Sequence, residues 1–528
     1  MSGRARALYR TWRLLRWAAV AAAIPAFWAC TSRSLEAPNI TPTATIQTNF
    51  TQKINNEIDI LFMIDNSSSM TEMQQKLYDQ LPVFMNVLTS LKNPPSLHVA
   101  VVSEDMGAPG DSTSAIGCTT YGDQGQFQSM PRGSCTATTL TAGDTFLVYD
   151  PSTNTSNFTD PIATVFQCIA LLGDKGCGFE HQLAAIDRAL GADGSPAPST
   201  NAGFLRPEAY LGIVMLSNED DCSASPNTTI FGLNGYQQNI SNPDGPIANY
   251  RCNGGPRGAH YCQDPANGNQ WTIPPLLPPA DAQGTATAPT LDLANCEDNE
   301  QPPMGTGSSA LTPVSQFISD IKALKPDPDN QILVAGIVAP AKPYTVAWVP
   351  ESGGQNTKPG ELWPQVMHSC GAKGADDVNP EATMNTTDGS FGDPGVREAQ
   401  FLQAFPNYVL ASICDASYAS SMQAIATKLG QLITPPCISG KIQNDANGNP
   451  ECSVIEHLTD MQGGKMDRAV QSCAQTNNAP PCWTLNAGQM GCNGSQLTIT
   501  DEPGVSANSE SSTINCSLCL PGSTQSGC

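Results

Sequence analysis

From about residue 55 to residue 436 the chain alternates apolar runs with segments of helical periodicity. Ile58–Asp65 and Leu97–Ser103 are apolar runs that fit buried strands. Between them, from Met73 to Leu91, apolar residues recur every three or four positions, which is the spacing of one helix face. Strands that alternate with helices form a mostly parallel sheet with helices on both faces. The sequence therefore predicts an α/β fold with five or six strands.

Later segments predict further elements of both kinds. Strands are predicted at Phe146–Tyr149, Tyr210–Leu216, Ile332–Val338 and Tyr408–Ile413. Helices are predicted at Ile162–Leu172, Phe179–Leu190 and Met422–Ile433, and another should begin at Thr312-Pro313, with Thr312 as its N-cap. Pro82 lies inside the first helix and should kink or divide it.

Three long stretches interrupt this alternation, at about residues 105–145, 222–310 and 340–390. We interpret them as irregular, disulfide-bonded insertions, because long loops in a compact domain are unusual and often functional. Cys118 and Cys135 are expected to close the first insertion. Cys168 and Cys177 bracket a turn and are expected to pair with each other.

The two ends of the chain differ from this central region. Residues 30–54 are rich in Thr, Ser, Asn and Pro and predict a flexible tether. From Cys437 onward the helical periodicity disappears and cysteines become dense, which predicts a small β-rich, cysteine-rich module over 437–528. The central domain is accordingly placed at 55–436.

Residues 1–29 have the form of a signal peptide. Five arginines and no acids precede the short apolar stretch Trp17–Ala29, which is followed by Cys30. A small residue before cysteine is how a bacterial lipoprotein signal ends, so we expect a lipid at Cys30. Plain secretion and a retained N-terminal anchor are the alternatives, and all three predict export.

The cysteine count agrees with export to an oxidising compartment. Of the 19 cysteines, Cys30 stands alone, ten lie between Cys118 and Cys414, and eight lie between Cys437 and Cys528. Both groups are even, so each region can close its own disulfides. Zinc is a weak alternative, because the Cys516-Ser-Leu-Cys519 motif has no second pair of the same kind nearby.

The charge of the chain excludes nucleic acid as a partner. Without residues 1–29 it holds 20 basic and 48 acidic residues, a formal net charge of −28. Binding to phosphates depends on Lys and Arg, which are scarce here. Most of the acids are expected to be a solvated surface.

The segment Asp65-Asn66-Ser67-Ser68-Ser69 ends the first predicted strand. Ligands of open α/β sheets bind at the carboxyl ends of the strands. A hard divalent cation takes oxygen ligands, and Asp65, Ser67 and Ser69 can supply three from one short loop. The alternative is a polar turn in which Asp65 caps the next helix.

With these residues in place, the chain resembles a von Willebrand factor type A (vWA) domain, in the cysteine-rich lipoprotein form found in some bacteria. The matching segments are Asp65-Asn-Ser-Ser-Ser69, Gly176-Cys-Gly-Phe-Glu180, Ser217-Asn-Glu-Asp-Asp-Cys222, Ser412-Ile-Cys-Asp415 and Pro481-Cys-Trp483. The resemblance implies a Rossmann-like sheet, a Mg²⁺ or Mn²⁺ site at its carboxyl edge, adhesion or protein binding, and no catalysis. Ca²⁺ is a further option for the metal.

The resemblance carries Asp65, Ser67 and Ser69 over as metal ligands. Where the family has a threonine in its second loop, this chain offers Glu180. Where the family has Thr-Asp in a later loop, this chain has Ser217-Asn218, and Asp220 is expected to replace the weaker donor Asn218.

The expected function is therefore an exported, lipid-anchored adhesion protein of the cell envelope that holds a partner's carboxylate through a metal. An outer-membrane or periplasmic lipoprotein and a secreted protein are both compatible with this. The first alternative is a structural envelope protein with a metal-free site. The second is an exported hydrolase, although no HExxH, G-x-S-x-G or phosphate-loop motif is present.

Overall fold

The computed structural model divides the chain into two compact units. One unit combines residues 1–51 with residues 437–528, and the other is residues 52–436. The residues described are 44–50, 56–91, 94–108, 118–131, 135, 140–225, 228, 230–231, 248–253, 258, 260–280, 282–285, 288–300, 310–350, 362–371, 389–433, 437–438, 440–459, 465–487, 495–500, 509–519 and 527–528.

The strands are β1 (Ala44–Phe50), β2 (Glu57–Ile64), β3 (Ser96–Ser103), β4 (Leu147–Asp150), β5 (Thr155–Ser156), β6 (Tyr210–Leu216), β7 (His260–Asp264), β8 (Gln270–Thr272), β9 (Gln283–Thr285), β10 (Ala288–Asp298), β11 (Ile332–Val338), β12 (Tyr344–Pro350), β13 (Leu362–Val366), β14 (Tyr408–Ser412), β15 (Cys437–Ile438), β16 (Cys452–Thr459), β17 (Lys465–Ser472), β18 (Cys482–Ala487), β19 (Ser495–Thr500) and β20 (Ser509–Leu518). The helices are α1 (Thr71–Thr89), α2 (Ile162–Ala170), α3 (Gln182–Leu190), α4 (Ala248–Asn253), α5 (Val314–Lys322), α6 (Pro328–Gln331), α7 (Val396–Gln403) and α8 (Ala419–Ile433).

The larger unit is built on a sheet with the order β14-β11-β6-β2-β3-β4-β5. Five of these strands, from β14 to β3, are parallel to their neighbours, and β4 runs antiparallel to β3. The predicted α/β class is thereby confirmed. Strand β2 is in the middle of the sheet, so the loop that follows it opens at the centre of the carboxyl edge.

The sheet is covered on both faces, because successive strand residues point to opposite sides. On β2, Ile60 and Phe62 pack in one core cluster with side chains of α1, α2 and α8. Leu61 and Met63 pack in the other cluster with side chains of α3, α5 and α7. A strand that is buried on both faces reads as a continuous apolar run, which is why it is visible in the sequence.

Two helix predictions differ from the structure at their details. Helix α1 runs without a break through Pro82, so the expected division does not occur. Helix α5 begins at Val314 with the extended residue Pro313 at its N-cap position, and no side chain caps it. Thr312 is therefore outside the helix, where its backbone N–H donates to the carbonyl of Ser223.

The second and third predicted insertions are not irregular throughout, and this expectation is wrong. Parts of both stretches join in a six-stranded sheet with the order β13-β12-β10-β7-β8, in which β9 also pairs with β10. Its core includes Leu291, Val346 and the fully buried Trp348. Strands β10 and β12 are far apart along the chain, so local periodicity does not reveal that they pair.

The disulfides of the first insertion also differ from the prediction. The structure pairs Cys118 with Cys177 and Cys135 with Cys168, so the expected closure of the insertion on itself and the expected pair Cys168–Cys177 are both wrong. The reason is burial in separate places: Cys168 is in helix α2, whereas Cys177 packs with Cys118 and Phe179. Both disulfides tie the insertion to the elements that follow it.

The remaining disulfides respect the predicted division of the cysteines. All ten cysteines between 118 and 414 pair within the larger unit. In the smaller unit the described pairs are Cys452–Cys516, Cys473–Cys482 and Cys519–Cys528. Because Cys516 and Cys519 are in disulfides, they do not form a zinc site.

The smaller unit contains one sheet with the order β1-β20-β16-β17-β18-β19-β15. Strand β1 pairs antiparallel with β20 from Ala44 to Phe50, so this part of the predicted tether 30–54 is a strand of the C-terminal module. The alternation of a seven-residue edge strand is too weak to be separated from a polar linker by sequence. The predicted signal peptide and Cys30 lie outside the described residues. Within the described residues, no helix has the length and hydropathy that crossing a membrane requires.

Asp187 on α3 supplies a prediction about pH. Burial raises the pKa of this carboxyl to about 8, with repulsion from Asp320 and Asp193, and one of its oxygens has no hydrogen-bond partner. The folded state therefore holds a proton that the unfolded chain releases near pH 4, and the stability this contributes is lost as pH rises to about 8. We expect Asp187→Asn to exceed wild type by about 1–3 kcal/mol at pH 8.

Urea unfolding of both proteins between pH 4 and pH 8 measures this difference, which should shrink toward zero at the acidic end. The exposed neighbour Asp193 provides the matched control, and Asp193→Asn should follow the wild-type curve. Parallel curves for wild type and Asp187→Asn would show that Asp187 does not hold this proton.

Candidate metal-ion site

The loop after β2 is fixed at the carboxyl edge of the central sheet by backbone hydrogen bonds. The N–H of Asp65 donates to the carbonyl of Leu216 at 2.9 Å, and the N–H of Gly176 donates to the carbonyl of Asn66 at 2.7 Å. The side-chain amide of Gln74 donates to the carbonyl of Asp65 at 2.8 Å. Three separate segments of the chain therefore hold the loop in place.

Asp65 is fully buried, and its carboxylate accepts hydrogen bonds from inside the site. The N–H of Ser67 donates to Oδ1 at 2.8 Å, and the hydroxyl of Ser217 donates to Oδ2 at 2.7 Å. Burial raises the pKa of this carboxyl, and these hydrogen bonds oppose the rise. Helix α1 begins only at Thr71 and has no side-chain cap, so Asp65 is not a helix cap.

Three neutral oxygens lie close together beside Asp65. The hydroxyl oxygens of Ser67 and Ser69 are 3.3 Å apart, and the Ser69 hydroxyl donates to Oδ1 of Asn218 at 3.1 Å. Mg²⁺ binds oxygens at about 2.0–2.1 Å in an octahedron, which places neighbouring ligands about 2.9 Å apart. The measured separations are close to that value, so the donor set fits a small divalent cation.

Three further carboxylates surround this oxygen set. Glu180 is buried, and its pKa is raised well above the ordinary value by burial and then by Glu219, Asp65 and Glu104. Burial, followed by Asp393 and Asp65, raises the pKa of Glu219 to about 8. A concentration of buried negative charge next to uncharged oxygens is an environment in which a cation is favoured.

Asp220 does not lie in this oxygen set, in contrast to the expectation that it replaces Asn218. Its Oδ2 is 2.5 Å from Nε2 of His260, and its Oδ1 accepts the backbone N–H of Arg397 at 3.0 Å. The side chain is therefore directed toward the second sheet and helix α7. Asn218 itself faces Ser69 through its amide oxygen, so it is the residue of this loop that reaches the site.

Behind the loop, Arg397 is fully buried and pairs with two carboxylates. Its guanidinium donates to Oδ2 of Asp221 at 3.0 Å, to the carbonyl of Thr312 at 2.7 Å and, in a short contact, to Asp298. Asp221 in turn accepts the N–H of Leu183 at the start of α3. This network fixes residues 217–223 and so fixes where Asn218 lies.

The structure thus brings together four of the six residues predicted for the site, with Glu180 beside them and Asp220 elsewhere. Sequence reasoning missed Glu104 and gave Glu219 no role. Glu104 directly follows β3, which neighbours β2, so its place at the carboxyl edge of the sheet was a usable signal. Among the described residues, no group of three or more His, Cys, Asp or Glu side chains has a metal-binding arrangement. The oxygen set above contains a single carboxylate.

No family model and no curated protein sequence matches the chain. Similar solved structures include the pilus adhesin SpaC from Lactobacillus rhamnosus GG, at 9% identity over 90% of this chain and 40% of that one, with a TM-score of 0.27. They also include a von Willebrand factor type A structure from Catenulispora acidiphila, at 9% identity over 90% of this chain and 66% of that one, with a TM-score of 0.25. A third is the type V pili tip protein Mfa5 from Porphyromonas gingivalis, at 9% identity over 90% and 68%, with a TM-score of 0.21. The chain thus spans less than half the length of the SpaC structure.

Proposed function

We propose that the protein is an exported adhesion or protein-binding protein of the von Willebrand factor type A kind, which binds its partner through a divalent cation. The observation that supports this is the convergence of Asp65, Ser67, Ser69 and Asn218 at the carboxyl edge of the sheet, at separations suited to Mg²⁺ or Mn²⁺. Anchoring through a lipid at Cys30 in the cell envelope belongs to the same proposal.

Each residue has a separate part in this function. Asp65 supplies the negative charge and is held rigid by Ser67 and Ser217. Ser69 is partly exposed, so the site is open to a partner on its side. When bound, a divalent cation supplies a positive centre that an Asp or Glu carboxylate of the partner can bind.

The set has few charged ligands, and this favours a binding function. Ser67, Ser69 and Asn218 contribute hydroxyl and amide oxygens, which leave the positive charge of a cation largely uncompensated on their side. A partner carboxylate then adds the missing negative charge, so partner binding and cation binding should strengthen each other.

The proposal is tested by water-proton relaxation with Mn²⁺ bound to the mature chain. Ser69→Ala removes one hydroxyl ligand without changing charge, and we expect it to weaken Mn²⁺ binding at least tenfold. Glutarate, a small dicarboxylate, should lower the relaxation of the wild-type complex because it displaces water from the cation. Glutaramide has the same length without charge and should have no effect.

The neighbouring serine supplies the matched variant. Ser68 is exposed, so Ser68→Ala should bind Mn²⁺ as wild type does. Equal affinities for Ser69→Ala and Ser68→Ala, or no Mn²⁺ binding by wild type, would contradict the proposed site. Mn²⁺ binding that glutarate does not affect would contradict the carboxylate-binding role.

A further inference from the structure

Glu104 is a buried carboxylate for which the proposed cation site has no use. It directly follows β3 and is fully buried, and neither of its carboxylate oxygens has a hydrogen-bond partner. Leaving such a group unpaired in the interior is costly. The structure therefore calls for a partner that bonds to oxygen.

Asn66 directs a second unpaired oxygen to the same place. Its Oδ1 is also buried without a hydrogen-bond partner. A methyl group built on Gly176 would lie 2.5 Å from that oxygen and 2.7 Å from Oε1 of Glu104, so the two oxygens are no more than about 5 Å apart. Ca²⁺ binds oxygens at about 2.3–2.6 Å, and one ion can therefore reach both.

The surrounding charge is also more than one divalent cation can neutralise. Asp65, Glu104, Glu180 and Glu219 are four buried carboxyls in electrostatic contact, which makes four negative charges when all are ionised. Among the described groups that act most strongly on them, the one cationic group is His368, beside Glu219. One divalent cation at the Asp65 site would leave about two charges uncompensated.

We propose that Glu104 and Asn66 bind a second divalent cation next to the Asp65 site, with Ca²⁺ as the preferred ion. A carboxylate and an amide oxygen are ligands that Ca²⁺ accepts in a flexible shell of six to eight oxygens, completed by water. The proposal rests on the proposed function only for the first cation, because Glu104 and Asn66 are not ligands of that site.

Gly176 keeps the space between these oxygens free. Any side chain there would come within 3 Å of both Asn66 and Glu104, which is closer than non-bonded atoms approach. The glycine is required by this close approach and not by its backbone angle. Gly176→Ala should therefore remove the second cation while leaving the hydroxyls of Ser67 and Ser69 in place.

The test is the number of Ca²⁺ ions bound per mature chain, measured by equilibrium dialysis. Wild type should bind two, Glu104→Gln one, Ser69→Ala one, and the double variant none. Glu72→Gln removes the same charge from an exposed position on α1 and should still bind two. Circular dichroism of each variant shows whether it is folded.

Asn66→Asp separates a cation site from a plain hydrogen bond. If the amide of Asn66 is turned so that its NH₂ group bonds to Glu104, Asn66→Asp places two carboxylates together, and it should lower the melting temperature without binding more Ca²⁺. If the two residues share a cation, Asn66→Asp should bind the second Ca²⁺ more tightly than wild type, by tenfold or more.

The outcomes distinguish the two proposals. A count of one in both wild type and Glu104→Gln overturns the second site and leaves the first intact. A count that falls in Glu104→Gln but not in Ser69→Ala supports the second site and contradicts the proposed adhesion site. A wild type that binds no Ca²⁺ overturns the second site, whatever Mn²⁺ does at the first.

Discussion

Replacing Arg397 with methionine should lower the free energy of unfolding by about 3–5 kcal/mol, because the change leaves buried carboxylates without their partner. The guanidinium of Arg397 bonds to Asp221, Asp298 and the carbonyl of Thr312, and the side chain has no exposure to solvent. Methionine fills much of the space but supplies no donor. Urea unfolding at pH 7 measures the loss.

The expected cost comes from electrostatics and not from lost packing. In wild type the charge of Arg397 lowers the pKa of Asp221 against the effect of burial. Without that charge the folded state should take up a proton more readily than the unfolded chain does. Stability of Arg397→Met should therefore recover in part as pH falls from 7 to 5.

Arg188 is the matched control for this prediction. It lies on α3 and is partly exposed, with one bond to the carbonyl of Pro196 and a 3.8 Å contact to Asp193. Arg188→Met should cost about 1 kcal/mol or less, since exposed ion pairs contribute little. An Arg397→Met protein that unfolds at the wild-type urea concentration would contradict the role of the buried network.

The same variant tests how the site is built. Residues 217–223 carry Asn218 to the site, and Arg397 holds this segment through the backbone and side chains of Asp220 and Asp221. A loosened segment would move Asn218 away from Ser69. We therefore expect Arg397→Met to bind the site cation more weakly than Arg188→Met, even though Arg397 is not a ligand.

Strands of the central sheet could be predicted from the sequence almost to the residue. Tyr210–Leu216 and Ile332–Val338 have the predicted bounds, because strands buried on both faces are continuous apolar runs that end abruptly at polar loops. The second sheet could not be predicted. Its strands pair across long separations, as β10 does with β12, and lie among turn-forming residues that suggest loops.

The candidate site divides in the same way. The short-range part, Asp65 with Ser67 and Ser69, is within five residues, and its own hydrogen bonds agree with its pattern. Contributions from other strands depend on where each chain segment turns at the sheet edge. Asp220 looked as suitable as Asn218 in sequence, yet the adjacent His260 and Arg397 take its carboxylate.

Divalent cations should stabilise the protein, and Asp65 should decide whether they do. A ligand that binds only the folded state adds about 2.7 kcal/mol at one hundred times its dissociation constant. Asp65→Asn removes the charge that attracts the cation. It keeps hydrogen bonding to Ser217, because that hydroxyl can accept as well as donate.

Without a cation the order of stability should be different. Burial raises the pKa of Asp65, so its ionised form costs stability at neutral pH when no cation is bound. In EDTA, Asp65→Asn should therefore be at least as stable as wild type. A crossing of this kind is not expected of a substitution that only damages the loop.

The central claim, that the Asp65 loop binds a divalent cation, is tested most directly by thermal melting of wild type and Asp65→Asn in EDTA and in saturating Mg²⁺ or Mn²⁺. The account predicts that the cation raises the melting temperature of wild type and leaves that of Asp65→Asn unchanged, so that the order of the two proteins reverses. The same melting temperature for wild type in EDTA and in either cation would contradict it.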